Sequence, residues 1–206
     1  MELRQKYIRT CTYCSAETCD EEAITEIGLQ VSVKFPNSDC NASASKDSAK
    51  NRTILKMQGM LDQYFNEAEV DANCTICDKK TLHRRKSEIS DHPEVLVVQA
   101  KLFNFTSGRS QKKNIFIDPD DIVINAGGAQ GMDRILYKAY AVVAHIGTRL
   151  EGGHFLTIAC GSGCSARIPR CDSQSGCWWL FDDQKVDGPM PQKNALELLT
   201  QRQVSF

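Results

Sequence analysis

The spacing of apolar residues predicts a strand, a loop and a helix in the first third of the chain. Apolar and polar residues alternate from Glu22 to Lys34, and this period of two predicts a β-strand with one buried face. Residues 36–50 (PNSDCNASASKDSAK) are almost free of apolar side chains, so a loop is expected there. From Ile54 to Phe65 the apolar residues recur every three or four positions, which predicts an amphipathic helix with Thr53 as its cap.

The remainder of the chain has the pattern of a mostly β structure. The continuous apolar run Val95–Val98 after Pro93 predicts a strand buried on both faces, extended by Phe103 and Phe105. Short apolar segments separated by turn residues predict further strands: two around Pro119 between Asn114 and Asn125, then Tyr137–His145, His154–Cys160 and Trp178–Asp182, with a glycine-rich turn at Gly127, Gly128 and Gly131. Neither a repeat nor a heptad pattern is present in the sequence.

Composition and charge narrow the class of protein. The 25 Lys and Arg residues are balanced by 26 Asp and Glu residues, which gives a net charge of −1. The chain therefore lacks the excess positive charge that attracts nucleic acid or an anionic membrane. The longest apolar run, near Ala139–Ala144, is far shorter than the roughly 20 residues that span a bilayer. The first residues, MELRQKYIRTCTYC, do not resemble a secretory signal. We therefore expect an intracellular protein of the cytoplasm or nucleus, without nucleic-acid or membrane partners.

Two Cys-x-x-Cys pairs are the first candidate chemistry. Cys11 and Cys14 form one pair and Cys74 and Cys77 the other, and two such knuckles supply the four thiolates of a tetrahedral structural zinc site. The long segment 15–73 between them requires an insertion within the ribbon, which the polar loop could supply. The alternative is four buried or free thiols, and Cys19 or Cys40 could replace one of the ligands.

A second group of cysteines occupies the turn before Trp178. Cys160, Cys164, Cys171 and Cys177 are irregularly spaced for a zinc ribbon, so a cysteine-rich loop is favoured over a second metal site.

A histidine between glycines and a pair of acidic residues forms the third candidate site. Gly152 and Gly153 precede His154, and Asp182 and Asp183 follow a short apolar strand. A carboxylate bound to Nδ1 of the imidazole would orient it as the base for a Ser or Cys nucleophile. Taken alone, a single histidine in a glycine turn is more often structural.

The order of these segments resembles the C-terminal part of the ubiquitin-specific protease catalytic domain, a class of cysteine deubiquitinases. The resemblance covers nearly all of residues 1–206. The family's "H-x-G", "G-G-H-Y" and "W-x-x-F-D-D" motifs match this set of residues: His145, Gly147, Gly152, Gly153, His154, Trp178, Phe181, Asp182 and Asp183. It implies an α+β, papain-like fold that is mostly antiparallel sheet, with zinc-ribbon fingers and ubiquitin as partner. It also implies that His154 is the catalytic histidine, that Asp182 orients it, and that Asp183 supports the site.

The resemblance further implies how the chain is divided. Residues 1–92 correspond to the fingers, with the split zinc ribbon and one amphipathic helix, and residues 93–206 to the C-terminal palm half. The family's nucleophilic Cys box is absent from these residues, and the thumb is expected to be missing with it. Phe155 replaces the family's Tyr, Leu102 a common Arg and Asp118 a usual Phe, and Ala195–Phe206 only loosely matches the family's closing aromatic strand.

Three functions are compatible with these features. The leading one is part of a thiol-dependent deubiquitinase that lacks its nucleophile-bearing N-terminal segment and is inactive alone. The alternative is a catalytically inactive ubiquitin-binding or scaffold protein derived from that family. A zinc-ribbon interaction module unrelated to ubiquitin ranks last, because it leaves GGHF and WWLFDD unexplained.

Overall fold

The structure is a computed structural model of the 206-residue chain. It describes residues 3–24, 28–32, 45–47, 52–106, 109–112, 115–119, 121–128, 131–147, 152–161 and 177–201. The first half contains β1 (Leu3–Cys11), β2 (Glu17–Ile24), β3 (Leu29–Ser32), β4 (Ser45–Asp47), β5 (Arg52–Lys56), α1 (Met57–Phe65), β6 (Ala68–Cys74), β7 (Lys79–Asp91) and β8 (Val98–Lys101). The second half contains β9 (Phe103–Thr106), β10 (Arg109–Lys112), β11 (Ile115–Asp118), β12 (Ile122–Gly128), β13 (Gly131–Tyr137), β14 (Ala141–Ile146), β15 (His154–Gly161), β16 (Cys177–Asp182), β17 (Lys185–Met190) and α2 (Gln192–Gln201).

These elements form two compact units that interleave along the chain. The first unit is Met1–Lys34, Gln58–Lys101 and Asp121–Tyr137, and the second is Phe35–Met57, Leu102–Asp120 and Lys138–Phe206. Each unit therefore takes segments from both sides of residue 92. The assignment of 1–92 to fingers and 93–206 to palm stays a prediction.

A six-stranded sheet dominates the first unit. Its order is β13-β12-β7-β1-β2, and β6 also pairs with β7. The long strand β7 pairs antiparallel with β1 on one side and with β6 on the other. Within this unit β3 and β8 form a separate parallel pair. The ends of β1 and β6 thereby lie on either side of β7.

Helix α1 is tied to this sheet by two polar contacts. The Tyr64 hydroxyl donates to Oε1 of the fully buried Gln5, at 3.0 Å. The side-chain amide of Gln58 pairs with the backbone of Val123 in β12. Its Nε2 donates to the Val123 carbonyl (3.1 Å), and its Oε1 accepts from the Val123 N–H (2.7 Å). Met60 and Leu61 are the buried residues of the helix, so one face of α1 packs and the rest is more exposed.

The second unit contains the four-stranded antiparallel sheet β14-β15-β16-β17. Successive side chains of a strand alternate between the two faces, and one face of this sheet forms the core with α2. The residues of that core are all buried: Ala144, Leu156, Ile158, Trp178, Leu180, Ala195 and Leu199. Two smaller elements belong to the same unit, the sheet β11-β5-β4 and the hairpin β9-β10.

The predicted fold class is confirmed: the chain is α+β and mostly antiparallel sheet. The two strands around Pro119 are observed as β11 and β12, and the strands beginning at His154 and ending at Asp182 as β15 and β16. Neither helix of the described part of the chain, nine and ten residues long, has the length and apolar character needed to cross a bilayer.

Several predicted elements are wrong. Residues 52–56 form strand β5, so the helix begins at Met57 rather than after Thr53. The reason is that Ile54 and Leu55 pair with the parallel strand β11. Three residues of the predicted polar loop form β4, which pairs with β5. The segment 22–34 contains parts of two strands, β2 and β3, rather than one.

The apolar run after Pro93 is not a strand buried on both faces. Val95 and Val97 are about half exposed, at 52% and 47%, and the strand begins only at Val98. The segment that only loosely matches the family's closing aromatic strand is described up to residue 201 and is helical there. Residues 192–201 form α2, whose Ala195 and Leu199 complete the core of the second unit.

Candidate active site and zinc centre

His154 and Asp182 form a direct pair in the second unit. His154 begins β15 and Asp182 ends β16, and these strands are antiparallel neighbours. The imidazole Nε2 lies 2.6 Å from Oδ1 of Asp182. An ionised carboxylate only accepts hydrogen bonds, so Nε2–H is the donor, and in the neutral imidazole the lone pair is then on Nδ1. The predicted acid therefore binds Nε2, not Nδ1 as expected from the sequence.

Gly153, the residue before His154, allows a close approach of two strands. Gly153 has a φ of +152°, and a Cβ at this position would lie 2.2 Å from Nε2 of His145. The His145 ring also packs beside Phe155, with ring centroids 4.9 Å apart. Only glycine leaves room for the His145 ring against the backbone that leads into His154. The sequence motif around His145, Gly147 and Gly153 is thus a packing requirement of this turn.

Asp183 is placed beside the other ring nitrogen. Its Oδ2 lies 3.9 Å from Nδ1 of His154, beyond hydrogen-bond distance. Asp183 has a left-handed φ of 52° in the turn between β16 and β17, and its side chain is 79% exposed. The structure therefore brings together all three predicted residues, His154, Asp182 and Asp183, with one ring nitrogen paired and the other facing an exposed carboxylate.

The described thiols of the second unit do not lie beside His154. Cys160 is on the same strand as His154, six residues away, which is roughly 20 Å along an extended strand. Cys177 is disulfide-bonded and has no free thiol. Cys164 and Cys171, of the same predicted group, lie outside the described residues, as does Cys40.

The four predicted zinc ligands come together in the first unit. The Sγ atoms of Cys11, Cys14, Cys74 and Cys77 all lie within 4.8 Å of one another. Cys14 and Cys74 are 3.6 Å apart. Tetrahedral zinc with bonds of about 2.3 Å needs sulfur atoms roughly 3.8 Å apart, so the spacing of this pair fits. Cys19, which the sequence left open as a substitute ligand, is an exposed free thiol outside the cluster.

The two knuckles have the same backbone geometry. Ser15 follows the first pair with a φ of 58°, and its N–H donates to the Cys11 carbonyl at 2.9 Å. Asp78 follows the second pair with a φ of 52°, and its N–H donates to the Cys74 carbonyl at 2.9 Å. The left-handed residue turns the chain directly after each second cysteine. Sequence analysis missed both residues, since neither is the glycine that usually marks such a turn.

The pKa values of the clustered thiols are shifted in both directions. Backbone N–H groups of Cys77 and Ile76 lower the pKa of Cys74 to about 6. The pKa of Cys77 is instead raised to about 12, first by desolvation and then by hydrogen bonds with Cys74 and Cys14. A cation at the centre would offset the repulsion between four thiolates. The donor set, spacing and geometry therefore fit structural zinc held by four cysteines.

Comparison with known proteins identifies the family. The model of the family "Ubiquitin carboxyl-terminal hydrolase" matches residues 9–200. The chain is 26% identical over 164 residues to ubiquitin carboxyl-terminal hydrolase 10 of Saccharomyces cerevisiae, covering 76% of this chain and 19% of that protein. It is 29% identical over 115 residues to ubiquitin carboxyl-terminal hydrolase 2 of Gallus gallus, covering 55% and 29%. The chain thus spans less than a third of the length of these relatives.

Solved structures show the same fold. The SAGA DUB module Ubp8/Sgf11/Sus1/Sgf73 bound to monoubiquitin matches with a TM-score of 0.66 at 20% identity, over 95% of this chain and 38% of that chain. The same module bound to ubiquitin aldehyde matches with a TM-score of 0.63 at 19% identity, over 95% and 38%. These similarities support the papain-like, ubiquitin-specific protease type of fold. Because the family model covers nearly the whole sequence, the chain belongs to the ubiquitin carboxyl-terminal hydrolase family.

Proposed function

We propose that this chain is part of a thiol-dependent deubiquitinase that hydrolyses ubiquitin isopeptide bonds, with His154 as its general base. The observation that carries the proposal is the 2.6 Å contact between Nε2 of His154 and Asp182. Asp182 fixes the tautomer, so Nδ1 carries the lone pair that accepts a proton. The match to a ubiquitin carboxyl-terminal hydrolase family model supports the choice of substrate.

The proposed reaction assigns one role to each ring nitrogen. Nδ1 takes the proton of a cysteine thiol, and the thiolate attacks the isopeptide carbonyl. The imidazolium then gives this proton to the lysine amine as the C–N bond breaks, leaving a thioester. Water, deprotonated at the same Nδ1, hydrolyses the thioester and releases the ubiquitin carboxylate. Asp182 holds the ring and stabilises the imidazolium throughout.

In this proposal the nucleophilic thiol is not one of the described cysteines. Four of them form the zinc cluster, and in the second unit Cys160 is six residues from His154 on one strand. The relatives are much longer than this chain, with 19% of the yeast protein matched. Since residues 1–206 also contain no match to the family's nucleophilic Cys box, our proposal places the nucleophile outside these residues. Action in the cytoplasm or nucleus stays a prediction.

The second candidate is a ubiquitin-binding protein without catalysis. It is favoured by the distance, among the described residues of the second unit, between His154 and a free thiol. Binding of ubiquitin is common to both candidates and is supported by the ubiquitin-bound state of the structural neighbours.

The test uses ubiquitin carrying a C-terminal electrophile, with mass spectrometry to locate any adduct. Purified residues 1–206 are expected to bind plain ubiquitin in calorimetry and to form no adduct with the electrophilic ubiquitin. As a control, an unrelated protein of the size of ubiquitin should give no heat of binding. The complete protein captured from its native cells is expected to form an adduct on a cysteine outside residues 1–206. An adduct within these residues would contradict the placement of the nucleophile. No adduct in the complete protein would favour the second candidate, and no binding would overturn both.

A further inference from the structure

The environment of His154 also suits a metal ion. A histidine that binds a metal through one ring nitrogen almost always donates its other N–H to a carboxylate or carbonyl, which fixes the ring and raises its basicity. Asp182 already accepts the Nε2–H of His154 at 2.6 Å. In the neutral imidazole Nδ1 then carries the lone pair of a pre-oriented metal ligand on the side of Asp183, with its supporting carboxylate in place.

A second donor lies close to the distance that one chelated ion requires. Oδ2 of Asp183 is 3.9 Å from Nδ1 of His154. A zinc ion holds nitrogen and carboxylate oxygen at about 2.0–2.2 Å each, which places two donors of a tetrahedral shell about 3.4 Å apart, so the exposed Asp183 carboxylate has to move closer by roughly 0.5 Å. One ion can thus bridge this gap, which is too long for a hydrogen bond.

Exposure leaves room for the rest of the coordination shell. The side chain of Asp183 is 79% exposed and that of His154 is 39% exposed. An ion bridging them would complete its coordination with water, as in open sites that have few protein ligands. Nitrogen and oxygen donors of this kind suit zinc and related divalent transition metals better than Ca²⁺.

We propose that His154 Nδ1 and the Asp183 carboxylate form a second, reversible binding site for zinc-like divalent transition metals, with Asp182 as its supporting carboxylate. This site is distinct from the four-cysteine cluster in ligand type and in the unit that holds it. Its occupation uses the lone pair that the proposed reaction needs for the thiol proton. If the proposed function holds, bound metal blocks the base and acts as an inhibitor.

The test is calorimetric titration of residues 1–206 with Zn²⁺, after the four-cysteine cluster has been loaded with one equivalent. We expect one further, weaker equivalent to bind. Asp183→Asn removes a ligand and is expected to weaken this binding about tenfold or more. Asp182→Asn removes the supporting carboxylate, for which a loss of about 10–100-fold is typical. Glu197→Gln, which removes an exposed carboxylate of α2 in the same unit, is the matched control and should bind unchanged.

Nitrogen NMR of the histidines identifies the ligand atom without any activity assay. Zinc is expected to shift Nδ1 of His154 and to leave its Nε2 protonated, and near-UV circular dichroism verifies that each variant is folded. Absence of a further equivalent, or its full retention in folded His154→Gln, would overturn the proposal. A shift at Nε2 instead of Nδ1 would also contradict it. None of these outcomes depends on ubiquitin, so failure here leaves the proposed function intact.

Discussion

The zinc centre of the first unit and the paired histidine of the second unit both lie at the ends of antiparallel strands, but they are held in place differently. The knuckles at Cys11 and Cys74 rest on two turns with left-handed residues and on four sulfur atoms. His154 instead begins a strand whose following residues, Leu156 and Ile158, are fully buried in a core with α2. The first site depends on its ligand for order, and the second depends on packing.

Loss of zinc should have the largest effect and should be confined to the first unit. Structural zinc contributes about 10–16 kcal/mol in small zinc-finger peptides. Cys74→Ser should therefore lose the metal and the amide protection at the ends of β1, β2, β6 and β7, while β14–β17 stay protected. Metal analysis and hydrogen exchange measure this. Cys19→Ser, at an exposed thiol outside the cluster, is the control and should keep its zinc. Equal loss of amide protection in both units would contradict the claim that zinc orders only the first unit.

Truncation of the core should have the converse effect. Trp178 is 1% exposed, and Trp178→Ala should cost about 3–5 kcal/mol in the free energy of unfolding of the second unit. The exposed Val143→Ala on the same sheet should cost roughly 0.5 kcal/mol. Chemical denaturation followed by hydrogen exchange gives both values. Zinc content should not change in either variant, and release of zinc from Trp178→Ala would show that the two regions depend on each other.

Two adjacent glycines test how tightly His154 is positioned. Gly153→Ala places a methyl group 2.2 Å from Nε2 of His145, at a φ of +152°, and we expect a cost of about 1–3 kcal/mol. Gly152→Ala meets no heavy atom within 4 Å and should be almost neutral. Denaturation gives the energies, and NMR should show that the His154 to Asp182 hydrogen bond is lost only in Gly153→Ala. Equal behaviour of the two variants would mean that the close approach does not position the base.

The smallest effect is expected at the turns of the zinc knuckles. Ser15 has a left-handed φ of 58°, which costs a non-glycine residue roughly 1–2 kcal/mol. Ser15→Gly removes this cost but increases the entropy of the unfolded chain by about 0.5–1 kcal/mol. A net gain below about 1 kcal/mol should appear as a slightly slower release of zinc to a chelator. Faster release would show that the Ser15 side chain, rather than the turn, stabilises the knuckle.

The sequence predicted what depends on local pattern or motif. Short apolar segments between turn residues located β15 and β16, and Cys-x-x-Cys spacing located the cluster of four sulfur atoms. The sequence pattern could not show that Ile54 and Leu55 would pair with β11, about sixty residues away. Pairing with a distant parallel strand depends on the tertiary fold, and here it overrides the helical periodicity. The left-handed turns at Ser15 and Asp78 carry no glycine, so the sequence gives no sign of them either. Which nitrogen of His154 meets Asp182 is set by the geometry of the strand ends.

The tautomer of His154 is the most direct test of the central claim, that Asp182 holds this imidazole as a base. Long-range nitrogen–proton NMR of residues 1–206, loaded with one equivalent of zinc, distinguishes a protonated Nε2 from a protonated Nδ1. The contact of 2.6 Å between Nε2 and Asp182 predicts a proton on Nε2 and a bare Nδ1. This tautomer should be lost in Asp182→Asn and kept in Asp183→Asn. A proton on Nδ1 in the unaltered chain would contradict the account.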